Sequence, residues 1–252
     1  MAELQSAQRR RRRNTRIIPT VVVAVAVIVV LILVTGLSSG GKKNASPTTT
    51  IGPSTTVAAN ATACPSFTGS SKATLTFAQA PPLCITKGGK YTETLHLNVG
   101  DVTVQFDTTK TPNTANNFIV LSLYHYYDGT HLFRTDTSIG IIQGGSPHTQ
   151  SASDPGPGYT INDEGSGYTY APGDLVMARS SGPNSAGAQF FFCVTNACSN
   201  LNSQGTYVVF AHVTSGLPIL QQILNSNVNT NNGLGGAPAK LTLIQSTTVT
   251  QS

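Results

Sequence analysis

The chain has 252 residues, of which only 10% are charged, and its formal net charge is +5. Six arginines and one glutamate within residues 1–37 account for this excess, because basic and acidic residues number nine each in the remainder. A neutral body gives no support to a nucleic-acid-binding surface, and we expect no nucleic-acid partner. Low charge together with many Ser, Thr, Gly and Asn residues suggests an extracytoplasmic protein rich in strands and loops.

An uncharged apolar run over residues 17–37 directly follows the arginine cluster. As a helix this run would measure about 30 Å, the thickness of a bilayer core. We predict a basic cytoplasmic tail over residues 1–16, a retained transmembrane helix over residues 17–37, and an extracytoplasmic remainder, so that the protein is a single-pass protein of the cell membrane. A cleaved signal peptide is the alternative, whereas a basic nucleic-acid-binding arm is disfavoured by the apolar span after the arginines.

Residues 38–62 consist almost entirely of Ser, Thr, Gly, Ala, Asn and Pro. Such a stretch buries too little apolar surface to fold, so we interpret it as a disordered, flexible linker. Residues 63–252 then form one domain, in which we find no internal repeat.

The first strands and the first helix of this domain have clear sequence signals. Apolar and polar residues alternate on both sides of Gly100-Asp101, which predicts a β-hairpin that turns at this dipeptide. The apolar members of the alternation are Leu95, Leu97, Val99, Val102, Val104 and Phe106. A helix follows, with Thr111 as its N-cap and Pro112 at its first position.

Later segments predict further strands over residues 188–194, 207–213 and 239–246, and a second short helix over residues 217–224. Scattered strands with two helices indicate a closed β structure with helical caps. Within residues 188–194 alternate side chains point to opposite faces, so Gln189, Phe191 and Cys193 share one face. Phe190, Phe192 and Val194 share the other. For an arbitrary apolar strand both faces would be buried, but the surrounding sequence favours a functional face.

The four cysteines are Cys64, Cys84, Cys193 and Cys198, and outside the cytoplasm they can be oxidised. Of the three possible pairings we favour Cys64–Cys84 with Cys193–Cys198, the first of which would pin an N-terminal extension to the domain. Four reduced, buried thiols are the alternative. A zinc site is disfavoured because there is no Cys-x-x-Cys and no histidine at ligand spacing, so we expect no metal and no other cofactor.

Several motifs resemble the cyclophilin-type peptidyl-prolyl cis-trans isomerases over about residues 91–247. These motifs are NFIVLSLYHYYDGTHLFR, IIQGG, PGYTINDE and GDLVMARSSGPNSAGAQFFF. The resemblance implies a mainly β fold, a closed eight-stranded antiparallel β-barrel capped by two α-helices, with the active groove on its outer surface. It implies an isomerase domain, taken here as monomeric, that acts on proline-containing unfolded or secreted polypeptides. The anchor and the Cys64/Cys84 extension resemble membrane-tethered actinobacterial members of the family.

The same resemblance implies the site residues. Its catalytic residues fall on Arg134, Gln143 and Phe191, with Phe191 as the floor of a proline pocket. The remaining substrate-binding positions of the pocket and groove fall on Ile141, Ala178, Arg179, Gln189, Leu201 and Tyr207. Arg134 and Arg179 are the two arginines outside the N-terminal segment. For Arg134 the alternative is an ordinary salt-bridge residue at the surface.

Some positions depart from the family pattern. The segment from Arg134 to Gln143 is one residue longer than usual, so the family's pocket phenylalanine falls on Ile139 or Gly140. Asn200 stands nearest to the frequent tryptophan that helps to bind cyclosporin, so we expect weak binding of that drug. These departures keep open an alternative function, a catalytically weak chaperone or scaffold that binds proline peptides at the cell envelope.

A hydrolase has no support in the sequence. There is no Gly-x-Ser-x-Gly motif, and no His or carboxylate constellation accompanies a candidate nucleophile. The acidic pair Asp163-Glu164 would point in opposite directions on a strand, so we expect structural capping from it.

Overall fold

The protein is described by a computed structural model over residues 62–230 and 234–252. The predicted cytoplasmic tail, the predicted transmembrane helix and all of the predicted linker except residue 62 lie outside these ranges. Within them, none of the helices has the length and apolar character needed to cross a bilayer.

The described ranges contain eleven strands, two α-helices and one 3-10 helix. The strands are β1 (Tyr91–Leu97), β2 (Gly100–Phe106), β3 (Thr130–His131), β4 (Arg134–Asp136), β5 (Ile141–Gly144), β6 (Asp174–Arg179), β7 (Ala186–Cys193), β8 (Val209–Ser215), β9 (Asn227–Asn229), β10 (Gly236–Pro238) and β11 (Leu243–Gln251). The helices are α1 (Pro112–Leu123) and α2 (Leu217–Asn225), and the 3-10 helix is Asn196–Leu201.

The strands form one curled antiparallel sheet in the order β3-β11-β1-β2-β8-β6-β7-β5-β4-β10-β9. Its two edges, β3 and β9, do not pair with each other, so the described sheet is a half-barrel. The predicted closed barrel of eight strands is therefore wrong in both closure and strand number. Strands β3, β9 and β10 have only two or three residues each, too few to show an alternating pattern in the sequence. A two-residue edge strand also offers few hydrogen-bonding groups with which to close the sheet.

The predicted hairpin is present, but its turn lies two residues earlier than expected. His96 pairs with Asp101 and Leu97 pairs with Gly100, so the predicted turn dipeptide already belongs to β2. The loop is Asn98-Val99, and Val99 is half exposed at its tip. The Asn98 side chain bonds to the backbone of the segment that leads into β11, which holds the turn at this position.

Helix α1 begins immediately after Thr111, as predicted, but Thr111 does not cap it through its side chain. The Thr111 hydroxyl instead donates to the carbonyl oxygen of Asp107. The carboxylate of Glu164 accepts from the backbone N–H groups of Asn113 and Thr114, at 3.1 and 2.7 Å. A carboxylate at this end also favours the helix dipole. The capping role predicted for the acidic pair is therefore confirmed for Glu164.

Strand β7 separates two apolar clusters. Phe190 and Phe192 are fully buried in the main core, where Phe190 packs edge-on against Phe118 of α1 with ring centroids 5.2 Å apart. Phe191 and Cys193 belong to a second, smaller cluster on the opposite face of the sheet. The predicted division of the strand into two faces is confirmed.

The remaining predicted elements are present with shifted bounds. The second helix agrees to within one residue, and β8 begins two residues later than predicted. Strand β11 begins four residues later and continues to Gln251. The cysteines pair as predicted, Cys64 with Cys84 and Cys193 with Cys198.

Candidate active site

A groove of about 610 Å³ lies on the face of the sheet that carries the smaller cluster. It brings together every residue predicted for catalysis or substrate binding. These residues are Arg134, Gln143, Phe191, Ile141, Ala178, Arg179, Gln189, Leu201 and Tyr207.

Strand register places the three predicted catalytic residues in one row. Arg134 of β4 pairs with Gln143 of β5, and Gln143 pairs with Phe191 of β7. Directly paired residues of neighbouring strands share one face, and adjacent strands lie about 4.8 Å apart. Three separate segments of the chain thus present a guanidinium, an amide and an aromatic ring side by side.

The guanidinium of Arg134 is held from three directions. One terminal nitrogen donates to Gln143 Oε1 and the other to Asp136 Oδ2, both at 2.9 Å, while Nε donates to the carbonyl oxygen of Leu234. The Arg134 side chain is only 20% exposed. It is therefore part of the groove wall and differs from a surface salt-bridge residue. Of its five N–H groups, one on each terminal nitrogen has no hydrogen bond within the described residues.

Asp136 is an unpredicted member of the site. Burial opposes its ionisation, but hydrogen bonds from Ser138 and Arg134 outweigh burial and lower its pKa. The carboxylate is therefore charged at neutral pH and can orient the guanidinium. Asp136 lies two residues after Arg134 on the same strand, a spacing that indicates a shared face. The contribution of Leu234 had no such signal in the sequence.

Two glutamine amides extend the polar side of the groove. Gln143 is 7% exposed, and its Nε2 donates to Gln189 Oε1 at 2.8 Å. Gln189 Nε2 donates in turn to the carbonyl oxygen of Ala152 at 3.2 Å. This chain of hydrogen bonds gives both amides one defined orientation.

The apolar side of the groove is a pocket floored by Phe191, which is 4% exposed. Ile141 and Leu201 pack around this ring in the smaller cluster, and Ile139 packs against the cluster from the rim. Of the two positions predicted for the family's pocket phenylalanine, Ile139 lines the groove and Gly140 does not. Gly140 has a φ of +62°, and a Cβ there would collide with Thr195 Oγ1, so Ile139 supplies the wall.

Tyr207 packs edge-on against Phe191, with ring centroids 5.8 Å apart and an interplanar angle of 81°. The guanidinium carbon of Arg179 lies 5.1 Å from the centroid of the Tyr207 ring, and an ion pair at 2.9 Å ties Arg179 to Asp163. Arg179 thus supports Tyr207 through a cation–π contact. Both members of the acidic pair Asp163-Glu164 thus have structural contacts, since Glu164 caps α1 and Asp163 holds Arg179.

The backbone of Tyr207 is fixed by Tyr170, another residue that was not predicted. The Tyr170 hydroxyl donates to the Tyr207 carbonyl oxygen at 3.1 Å and accepts from the Tyr207 N–H at 2.9 Å. Burial is the main reason why the pKa of Tyr170 lies above its ordinary value, so this hydroxyl keeps its proton at neutral pH.

Residues 92–249 match the family described as cyclophilin type peptidyl-prolyl cis-trans isomerase/CLD. The chain belongs to the cyclophilin family. This cyclophilin is a peptidyl-prolyl cis-trans isomerase, and its groove is the candidate active site. The family match begins at residue 92, so the predicted anchor and the disulfide-linked extension lie outside it.

Named relatives are similar across most of their own length. A peptidyl-prolyl cis-trans isomerase of Arabidopsis thaliana is 38% identical over 130 residues, which cover 50% of this chain and 78% of the relative. Peptidyl-prolyl cis-trans isomerase B of Bacillus subtilis is 38% identical over 119 residues, which cover 46% and 78%.

Solved structures agree with this family assignment. A cyclophilin-type isomerase of Cryptosporidium parvum has a TM-score of 0.55 and 25% identity, covering 65% of this chain and 99% of that chain. A second crystal structure of the same protein, determined in the presence of the dipeptide Ala-Pro, has a TM-score of 0.54 and 26% identity and covers 64% and 99%.

Proposed function

We propose that this cyclophilin binds proline-containing polypeptides in the groove, with the proline ring on Phe191 and the guanidinium of Arg134 beside the prolyl nitrogen. The observation that carries the proposal is the row formed by Arg134, Gln143 and Phe191 across three paired strands. The crystal structure of the Cryptosporidium relative in the presence of Ala-Pro supports a proline-containing ligand.

Rotation about an X–Pro bond needs no nucleophile and no proton transfer. Its barrier of about 20 kcal/mol arises because rotation breaks the resonance of the amide. A catalyst must therefore hold the proline ring and favour the twisted amide over both planar isomers. Lowering the barrier by about 7 kcal/mol would give a rate gain of roughly 10⁵.

The guanidinium of Arg134 can provide this differential binding. Twisting the amide localises the lone pair on the prolyl nitrogen, which then becomes a hydrogen-bond acceptor. The two terminal N–H groups that Arg134 leaves unpaired within the described residues are the available donors. Since Asp136, Gln143 and the Leu234 carbonyl already fix the guanidinium, little reorganisation is needed in the transition state.

The apolar pocket and the two glutamine amides would contact different parts of the substrate. Phe191, Ile141 and Leu201 offer the proline ring an apolar surface. Gln143 and Gln189 offer amide groups to the backbone of the substrate. Ala178, Arg179 and Tyr207 line the neighbouring part of the groove.

An isomerisation assay on a short proline peptide tests these roles in the full-length chain. We expect wild type to accelerate the exchange, and Arg134→Ala to lose about 10²–10³ in kcat/KM while it still binds the peptide. Phe191→Ala should weaken binding as well, because it removes the pocket floor. Lys110→Ala is the matched control, because it also removes one positive charge. The Lys110 side chain is 83% exposed and lies outside the groove lining.

The same assay decides the second candidate function, a proline-peptide scaffold with little turnover. One feature favours that candidate: the resemblance expects an aromatic ring at or next to Ile139, and the groove lining has only Tyr159, Phe191 and Tyr207 as aromatic residues within the described ranges. Peptide binding by wild type without any rate acceleration would select the scaffold and reject the catalytic role of Arg134.

We also propose that residues 17–37 anchor the protein in the cell membrane, with residues 1–16 in the cytoplasm and a monomeric isomerase domain outside. The arginine cluster before the apolar run supports this orientation. Two disulfides support an oxidising compartment, in which unfolded or secreted polypeptides would be the clients. Retention in the membrane after alkaline extraction, together with digestion of the domain by external protease, would support the anchor. Release into the soluble fraction with a new N-terminus would instead identify a cleaved signal peptide.

A further inference from the structure

The N-terminal extension, residues 62–90, lies outside the family match and is fastened to the domain at its two ends. The Cys64–Cys84 disulfide closes it into a loop. Asn116 of α1 accepts from the backbone N–H groups of Cys84 and Ile85, at 2.7 and 3.2 Å. The same side chain donates to the carbonyl oxygen of Pro82 at 2.9 Å.

The middle of the extension reaches the wall of the groove. Phe77 is 8% exposed, and its ring packs edge-on against Tyr159, with centroids 6.2 Å apart, and against Tyr124, with centroids 5.2 Å apart. Its backbone N–H donates to the carbonyl oxygen of Pro157 at 2.8 Å. Pro157 and Tyr159 both line the groove.

A second contact reaches the loop that precedes this wall. Thr76 Oγ1 lies 3.5 Å from His148 Nε2, and His148 Nδ1 lies 3.0 Å from the carboxylate of Asp154. That carboxylate also accepts from the backbone N–H groups of Thr149 and Gly156, at 2.9 Å each. The extension therefore contacts both the beginning and the end of residues 148–159.

The two backbones also fit closely at Gly158. This glycine has a φ of +94°, and a Cβ there would lie 2.6 Å from the carbonyl oxygen of Phe77. A glycine is thus required both for the backbone conformation and for the approach of the extension.

The wall depends on such contacts because it has little regular structure of its own. Between β5 and β6, residues 145–172 form no strand in the part of the chain described here, and their one β-bridge joins Ile161 to Ala186. Segments with few ladder hydrogen bonds take their position from side-chain and loop contacts. Phe77 is the large apolar side chain that the extension places against this wall.

We propose that the extension positions the wall formed by residues 154–160 and thereby contributes to binding of the substrate residues that flank the proline. This proposal rests on the proposed binding of a polypeptide in the groove. The proline pocket itself is built from β4, β5, β7 and the 3-10 helix, none of which Phe77 contacts through a hydrogen bond or ring pair. The extension should therefore affect long substrates and leave minimal ones unchanged.

Two substrates test the proposal in the full-length chain: a peptide of about ten residues with one central Ala-Pro, and a blocked Ala-Pro dipeptide. We expect Phe77→Ala to lower kcat/KM about fivefold for the long peptide, mainly through KM, and less than about twofold for the dipeptide. Equal losses on both substrates, or no loss on either, would overturn the proposal.

Phe67→Ala is the matched control. Phe67 belongs to the same extension, but it is 37% exposed and stacks on Tyr91, away from the groove lining. It should leave the ratio of the two substrates unchanged, and an equal shift in this variant would count against the proposal. If Phe77→Ala does not fold, Phe77→Leu replaces it, with a smaller shift expected in the same direction. Arg134→Ala tests the proposed catalytic role separately, because it should lose activity on both substrates. The proposed catalytic role and the proposed role of the extension are therefore rejected by different results.

Discussion

The two faces of β7 carry the same kind of side chain and have different roles. Phe190 and Phe192 point to the face covered by α1 and are fully buried in the main core. Phe191 points to the face that carries the groove and forms the floor of its pocket. The three phenylalanines differ only in the direction of successive side chains along a strand. Direction, rather than residue type, thus separates the main core from the proposed proline pocket in this segment.

If this comparison is correct, a change on the inner face should cost stability and a change on the outer face should cost activity. The largest effect is expected for Phe190→Ala, which removes a ring packed against Phe118 and Tyr127, at centroid distances of 5.2 and 5.6 Å. We expect a loss of about 3–5 kcal/mol in the free energy of unfolding, measured by urea denaturation. The activity of the remaining folded protein should stay close to wild type. A comparable loss of stability in Phe191→Ala would contradict the division.

The inner face also contains a buried acid that should make stability depend on pH. Glu93 is fully buried, where it accepts from Ser122 at 2.8 Å, and burial is the main cause that raises its pKa to about 8 from the ordinary 4.5. Between these values the folded protein holds a proton that the unfolded chain has lost, so stability falls as pH rises. From pH 5 to 7.5 the expected loss is roughly 3 kcal/mol.

Urea denaturation of wild type and Glu93→Gln over this pH range measures that effect. The glutamine variant cannot titrate at this position, so its stability should be less dependent on pH, and the difference between the two proteins should grow as pH rises. Parallel pH profiles for the two proteins would show that Glu93 does not hold its proton in the fold.

On the outer face the sharpest test is Arg134→Lys, which keeps the charge but loses the planar guanidinium. A lysine cannot donate to Asp136, Gln143 and a substrate with the same fixed geometry. We expect kcat/KM to fall about 100-fold, or about 2.7 kcal/mol, with little change in the free energy of unfolding. A loss below about threefold would mean that charge alone suffices at this position.

The smallest effect is expected for the support behind Tyr207. Arg179→Lys keeps the charge next to Asp163 but weakens the cation–π contact, so we expect a three- to fivefold rise in KM, equivalent to about 1 kcal/mol. The same substitution made in a Tyr207→Leu background should have no further effect on KM, because the ring that it supports is already gone. Full additivity of the two substitutions would show that Arg179 acts independently of Tyr207.

Local patterns in the sequence determined much of this protein. The alternation in residues 188–194 predicted the two faces of β7, and Pro112 at a first helical position helped to predict α1. The motifs around Arg134, Gln143 and Phe191 predicted residues that the structure brings into one groove. The prediction of the two faces succeeds because side-chain direction along a strand depends on the local backbone, whereas the site residues were implied by the family resemblance.

Contacts between distant segments were decided by the tertiary structure alone. The carbonyl of Leu234 that holds Arg134 is 100 residues away from it, and the Glu164 carboxylate that caps α1 is 50 residues from Thr114. The open edges of the sheet and the contact of Phe77 with the groove wall belong to the same class. No periodicity reports such contacts, because they depend on how separate segments come together in space. The sequence thus determined which side chains face the groove, and the fold decided what holds them there.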